Sequence, residues 1–145
     1  MIRYLIDSTA VWRLQRHQAL NDAWSHETDE GAIGSCHPQR TEFRRSARSL
    51  DEYDEMTDMF ADLYPNVSVP KSVWSWIDTA QYRLAQRGQQ RSLSVVDWLI
   101  CATAVYHGLI VLHDDKDFSA AAGLLRDLRE HNVHDITGHE KGATS

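Results

Sequence analysis

The sequence predicts an α/β fold in which a central parallel sheet carries helices on both faces. Short apolar runs at residues 2–6, 31–36 and 109–112 alternate with stretches in which apolar residues recur at helical spacing, the pattern of strand–helix–strand units. The run Leu109-Ile110-Val111-Leu112 has no polar position at all, as expected of a strand covered on both sides. At 145 residues, 42% hydrophobic and 25% charged, the chain has the size of one domain able to bury about two-thirds of its surface. That composition excludes collagen-like, low-complexity and disordered classes. The expected organisation is one domain over 1–136 and a polar tail over 137–145.

The elements follow in order. Residues 2–6 form a strand closed by Asp7-Ser8-Thr9, a helix N-cap sequence, before a helix over 10–16. A short helix follows Asn21 with Ala23 and Trp24 as its apolar face, and 31–36 is a glycine-punctuated strand. Pro38 suits the first turn of a helix running through Glu42, Phe43 and Ala47. Asp51 opens a helix with Tyr53, Met56, Met59, Phe60 and Leu63 at helical spacing, stopped by Pro65. Residues 67–69 read as a small strand. Pro70 begins an amphipathic helix with Val73, Trp74, Ile77, Ala80 and Leu84 inward, ended by Gly88; Trp74 is expected in the core and Trp76 nearer solvent. Ser94-Val95-Val96-Asp97 is a capping box opening an apolar helix to His107, with Gly108 as its stop. After 109–112 come His113-Asp114-Asp115-Lys116-Asp117-Phe118, an alanine-rich helix, and a weak strand over 133–136.

Cys36 and Cys101 are far apart in apolar surroundings, so buried free thiols in a reducing compartment are expected rather than a disulfide. The first apolar run is stopped by Asp7, too soon for a signal peptide. The longest apolar stretch, 95–106, contains Asp97 and is too short for a membrane span. A cytoplasmic protein with no membrane contact is the expectation.

Net charge is −6, from 21 Asp and Glu against 15 Lys and Arg, which argues against a general polyanion-binding surface. The acids are not spread at random over the predicted elements. In a parallel sheet, residues just after a strand and residues in the first turn of the next helix share the carboxyl edge. Asp7 follows the first strand, Glu42 lies about one turn into the helix after the second, Asp97 opens the helix before 109–112, and Asp114, Asp115 and Asp117 follow that strand. Each alone has an ordinary reading as a cap, turn or solvated residue. Together they would repel one another and raise each other's pKa unless a cation stood among them. An all-oxygen set without Cys or His spacing favours Mg²⁺ or Mn²⁺ over Zn²⁺. Mg²⁺ keeps waters and works beside substrate phosphate, which suits phosphodiester hydrolysis by a metal-activated water.

Tyr4-Leu5-Ile6-Asp7-Ser8-Thr9-Ala10, Thr41-Glu42-Phe43-Arg44-Arg45-Ser46-Ala47-Arg48, Val96-Asp97-Trp98-Leu99-Ile100-Cys101-Ala102-Thr103-Ala104 and His113-Asp114-Asp115-Lys116-Asp117-Phe118 together resemble the PIN-domain ribonucleases, specifically the VapC-type toxins. The likeness runs from residue 2 to about 136, and its weight lies in four motifs in order rather than in any one. It implies a three-layer α/β/α sheet, Mg²⁺ or Mn²⁺, RNA cleavage, a homodimer and inhibition by a small VapB-type antitoxin. By position, Asp7, Glu42, Asp97 and Asp115 match the family's catalytic acids, and Asp7, Asp97, Asp115 and Asp117 are the implied metal ligands. Ser8 or Thr9 matches a hydroxyl common near the first acid, whereas His113 stands where a Thr is common.

RNA also needs positive charge, for which Arg44, Arg45, Arg91 and Lys116 are the leading candidates, with Arg40, Arg48 and Arg87 nearby. Exposed apolar residues of the helices over 51–64 and 70–82 are candidate antitoxin or dimer surfaces. The alternatives are a catalytically silent PIN-like binding module and, more loosely, a phospho-acceptor receiver domain. The latter wants an acidic pair at the end of its first strand, where this chain has Asp7 between Ile6 and Ser8.

Overall fold

A computed structural model describes residues 1–136; the expected polar tail over 137–145 lies outside the described residues. Strands β1 (Tyr4–Ile6), β2 (Ile33–Gly34), β3 (Ile110–His113) and β4 (Glu130–Asn132) form one sheet in the order β2-β1-β3-β4, every pairing parallel. Leu5 stands opposite Gly34 on one side and Val111 on the other. Among the described residues eight helices connect the strands: α1 (Ser8–Arg16), α2 (Gln18–Ala23), α3 (Ser25–Asp29), α4 (His37–Arg44), α5 (Leu50–Leu63), α6 (Val73–Ala85), α7 (Val95–His107) and α8 (Lys116–Leu124).

Strand side chains alternate between two covered faces. Leu5 and Val111 join Ile77, Leu84, Ile100 and Phe118 under α6, α7 and α8. Tyr4, Ile6 and Leu112 join Val11, Leu14, Trp24, Phe43 and Phe60 under α1, α4 and α5. The sheet is therefore the middle of three layers, and the apolarity of residues 4–6 and 109–112 at its centre follows from their having no solvated face.

Several expected elements change. The predicted strand over 67–69 reduces to one parallel bridge, Ser35 with Asn66. Pro65 and Pro70 bracket the segment, proline donates nothing to a ladder, and the Ser68 carbonyl accepts instead from His107 Nε2 at 2.7 Å. The close pass of this segment over β2 requires Gly34, because a Cβ there would lie 2.6 Å from Val67 Cγ2 and 3.0 Å from the Pro65 carbonyl oxygen. The last strand is Glu130–Asn132 rather than 133–136. It is a polar edge strand, so hydrophobicity could not locate it, and beyond it Val133 is buried with its carbonyl accepting from Trp24 Nε1 at 2.8 Å. Trp24 is not on a helix face but at the break between α2 and α3, fully buried and edge-on to Tyr4.

The helix over 51–63 begins one residue earlier, capped by Ser49, and α6 begins at Val73 rather than Pro70. The helix expected to run through Ala47 ends at Arg44. The two tryptophans of α6 exchange roles: Trp74 is 53% exposed, whereas Trp76 packs on the core and donates to Asp127 Oδ2 at 2.7 Å. At about 100° per residue the two tryptophans flank the buried stripe of Val73, Ile77, Ala80 and Leu84 on opposite sides, and the flank of Trp76 meets Trp98 and Asp127 whereas that of Trp74 meets solvent.

Candidate active site

Asp7, the residue after β1, caps α1. Its Oδ1 accepts from the Ala10 N–H at 3.0 Å, and the Thr9 hydroxyl reaches both carboxylate oxygens at 2.8 and 2.9 Å. The side chain is almost fully buried, and burial, with a smaller push from Asp97, raises its pKa to about 7. Asp97 occupies the third position of α7 in a complete capping box, its Oδ2 accepting from the Ser94 N–H at 3.1 Å. Burial raises its pKa too, and the charges of Glu42 and Asp115 add to the rise. Glu42 on α4 accepts from the Ser8 hydroxyl at 3.2 Å, and Ser8 accepts from Gln39 Nε2 at 3.2 Å.

Asp115 caps α8, accepting from the Asp117 N–H at 2.9 Å. Its own N–H donates to His113 Nδ1 at 3.1 Å, which makes Nε2 the protonated nitrogen of a neutral ring and the donor to Glu130 Oε1 at 2.8 Å. Three segments thus bring Asp7, Glu42 and Asp115 within electrostatic reach of Asp97, on a fourth, at the carboxyl edge of the sheet. Beneath them, burial and then the charges of Asp97 and Asp7 raise the pKa of the Cys101 thiol. Both cysteines are free and buried.

The other two acids of the 114–117 group differ. Asp114 pairs with Arg13 of α1 and with His134 at 3.3 Å. Desolvation is the largest single influence and raises its pKa, but the bonds and charges of Arg13 and His134 together outweigh it and hold the pKa below the usual carboxylate value. Asp114 is therefore a clamp between β3, α1 and the residues after β4. Asp117 lies in the first turn of α8, half-buried, and its carboxylate makes no hydrogen bond or ion pair among the described residues.

Sequence reasoning offered Thr9 only as one of two hydroxyls near the first acid, and it missed Gln39. Thr9 both donates to Asp7 and accepts the Asp114 N–H at 2.9 Å, tying the ends of β1 and β3 together. Gln39 is fully buried behind Ser8 with its Oε1 unpartnered among the described residues. The signal for both was their distance of one helical turn or less from Asp7 or Glu42, but a lone Thr or Gln carries no chemistry of its own.

All donors at the rim are oxygens, and the burial of Asp7 beside a second carboxylate is the electrostatic situation that a hard divalent cation relieves. Among the described residues no three Asp, Glu, His or Cys side chains are already drawn around one ion-sized point. The donor set fits a cation bound through few carboxylates and several waters, the habit of Mg²⁺.

The four basic candidates separate. Arg45 is exposed just past the end of α4, Arg91 is exposed six residues before Asp97 in the sequence, and Lys116 is exposed next to Asp115 in the sequence. Arg44 is half-buried, stacked over Tyr53 at 5.2 Å and donating to Thr57 at 3.3 Å. Arg40 is buried and bound to Ser35 and Asn66, and Arg48 pairs with Glu52 at 3.4 Å; Arg40 serves the fold.

Comparison with known proteins matches residues 4–124 to the PIN domain model. The chain belongs to the PIN-domain family. This PIN domain is 60% identical over 102 residues to ribonuclease VapC6 of Mycobacterium tuberculosis, covering 70% of this chain and 80% of that protein. It is 31% identical over 124 residues to ribonuclease VapC21 of the same species, covering 86% and 89%. These relatives place it with the VapC ribonucleases within the family. The fold of the PIN domain is shared with the DNA-bound VapBC structure from Salmonella typhimurium, at TM-score 0.73, 13% identity and coverage of 92% and 99%. FitAcB from Neisseria gonorrhoeae gives 0.66, 18%, 91% and 99%. Among the described residues no helix of the PIN domain is long and apolar enough to cross a membrane.

Proposed function

We propose that the chain is a Mg²⁺- or Mn²⁺-dependent endoribonuclease acting as the toxin of a toxin–antitoxin pair. The carrying observation is the convergence of Asp7, Glu42, Asp97 and Asp115 from four chain segments, with Asp7 buried and its pKa pushed to about 7. Likeness to named VapC ribonucleases supports the same reading. Asp7, Asp97 and Asp115 would hold the ion, with Asp117 flanking them on α8. A bound Mg²⁺ or Mn²⁺ supplies charge stabilisation for the phosphate and activation of water. Thr9 fixes the Asp7 carboxylate from both oxygens, and Ser8 with Gln39 fixes Glu42. Glu42 then stands as the carboxylate available to orient water or accept its proton. Arg45, Arg91 and Lys116 border this rim as contacts for RNA phosphates, while Arg44 joins them only through its exposed edge.

The antitoxin reading has a surface to match. Between α1, α4 and α5 runs a groove of about 600 Å³ with Trp12, Phe43, Met56 and Met59 among its lining and Arg16, Arg48, Glu52 and Glu55 at its margins. Methionine and aromatic walls with mixed charge suit an amphipathic segment of a VapB-type partner. A homodimer in the cytoplasm completes the proposal. The decisive test is purified protein with RNA in Mg²⁺ or Mn²⁺: cleavage is expected to stop with EDTA and with Asp97→Asn, and cleavage surviving both would defeat the reading.

A further inference from the structure

A second charged feature lies away from the acids. Where α6 and the residues after α8 meet, a polar depression of about 330 Å³ is lined by Arg83, Gln86, Arg87, Gly123, Leu124 and Arg126. Arg83 lies on α6 and Arg87 in the turn that follows it, and Arg126 approaches from the other side. Among the described residues none of the three guanidiniums has a hydrogen bond or an ion pair. Asp127 lines the adjoining depression with Arg83 and Arg126, and its Oδ2 accepts from Trp76 Nε1. Gly123 leaves the floor open, since a Cβ there would meet nothing within 4 Å.

Three unpaired guanidiniums around one concavity repel each other and attract an anion, and their planar forks match phosphate. In a chain of net charge −6 this is a local exception to the overall field. We propose that this depression is a binding subsite for a backbone phosphate of single-stranded RNA, holding the strand at a distance from the acidic rim. The inference rests on the ribonuclease reading.

Two features favour RNA over an acidic peptide. Among the described residues Leu124 is the only large apolar side chain in this lining, Trp76 and Leu125 lining the adjoining depression instead, so the guanidinium pocket itself lacks the hydrophobic anchor by which peptides dock. It is also connected to the rim by two elements. α8 carries Asp115 at its start and Gly123 near its end, a separation of about 12 Å at 1.5 Å per residue. The segment after α6 carries Arg87 and Arg91 toward the Ser94–Asp97 capping box. One strand crossing the rim can therefore reach the depression. With no aromatic residue in the lining among the described residues, the contact reads backbone and not base.

The test measures fluorescence anisotropy of labelled single-stranded RNA across a salt series with the full chain carrying Asp97→Asn to suppress cleavage. Each lost phosphate contact lowers the slope of log K against log salt by about 0.7. Arg83→Gln, Arg87→Gln and Arg126→Gln combined remove the one phosphate contact and should therefore reduce the slope by about 0.7 and weaken binding to unrelated RNA sequences alike. Unchanged affinity and slope with an unchanged melting temperature would overturn the proposal. So would an unchanged slope accompanied by loss of self-association or of binding to a polyglutamate peptide, since the surface would then serve a protein. If the chain without these substitutions cleaves no RNA, the ribonuclease reading fails on that assay, while the salt series still reads the subsite.

Discussion

Asp7 shows how a single residue can be costly to the fold and useful to the site. Its N-cap bonds to Ala10 and Thr9 favour the ionised form, yet burial outweighs them and lifts the pKa from 3.8 to about 7. For a carboxylate whose folded pKa is raised, stability is fully present below the unfolded value and falls as pH rises toward the folded one. In EDTA the protein should accordingly lose stability between about pH 4 and pH 7 relative to Asp7→Asn. At pH 7 that substitution should stabilise the metal-free fold by up to about 4 kcal/mol, since the rise from 3.8 to about 7 spans about three pKa units and each is worth about 1.4 kcal/mol, while abolishing cleavage. Urea titrations across this pH range check the first statement, and equal pH profiles for the two proteins would refute it.

Within elements, the start of α7 carries both a structural and a chemical duty. The Ser94 hydroxyl accepts from the Asp97 N–H at 3.1 Å while Asp97 answers to the Ser94 N–H. One short motif therefore stabilises the helix and aims a site carboxylate. Ser94→Ala removes the cap acceptor and should cost about 1 kcal/mol of stability, with cleavage falling more than the loss of folded protein explains. Ser94→Asp, which keeps an acceptor, should recover stability but add a fourth negative charge near Asp97 and leave cleavage impaired. Thermal melts read beside single-turnover rates separate the two effects.

For the whole molecule, the net charge of −6 first argues against nucleic acid, and the fold sharpens that inference. Several acids are gathered at one rim, where a bound cation offsets them, and three arginines gather in the depression beside α8. Mg²⁺ or Mn²⁺ should stabilise the native state by mass action, about 2.7 kcal/mol at a hundred times the dissociation constant. Calorimetry should show the melting temperature rising with Mn²⁺ for the unaltered chain and much less for Asp7→Asn. A chain that bound neither ion would instead be the catalytically silent module.

Much of this was legible in the residues because the signals are local. Strand apolarity, the Ser94–Asp97 box, Gly108 in the left-handed region and the succession of acids are each set within a few positions. Their order along the chain, read as strand ends and helix starts, places Asp7, Glu42, Asp97 and Asp115 on one edge. Only the tertiary structure decided what depends on a returning chain. Arg13 and His134, from opposite ends of the sequence, draw Asp114 into a clamp while Asp115 caps α8 beside Asp97. Asp127, fifty-one residues away, gives Trp76 its partner, and the polar strand β4 exists because β3 offers an edge. Local propensity fixes where a side chain starts. The charge or surface it finally meets is supplied by segments that only packing brings near.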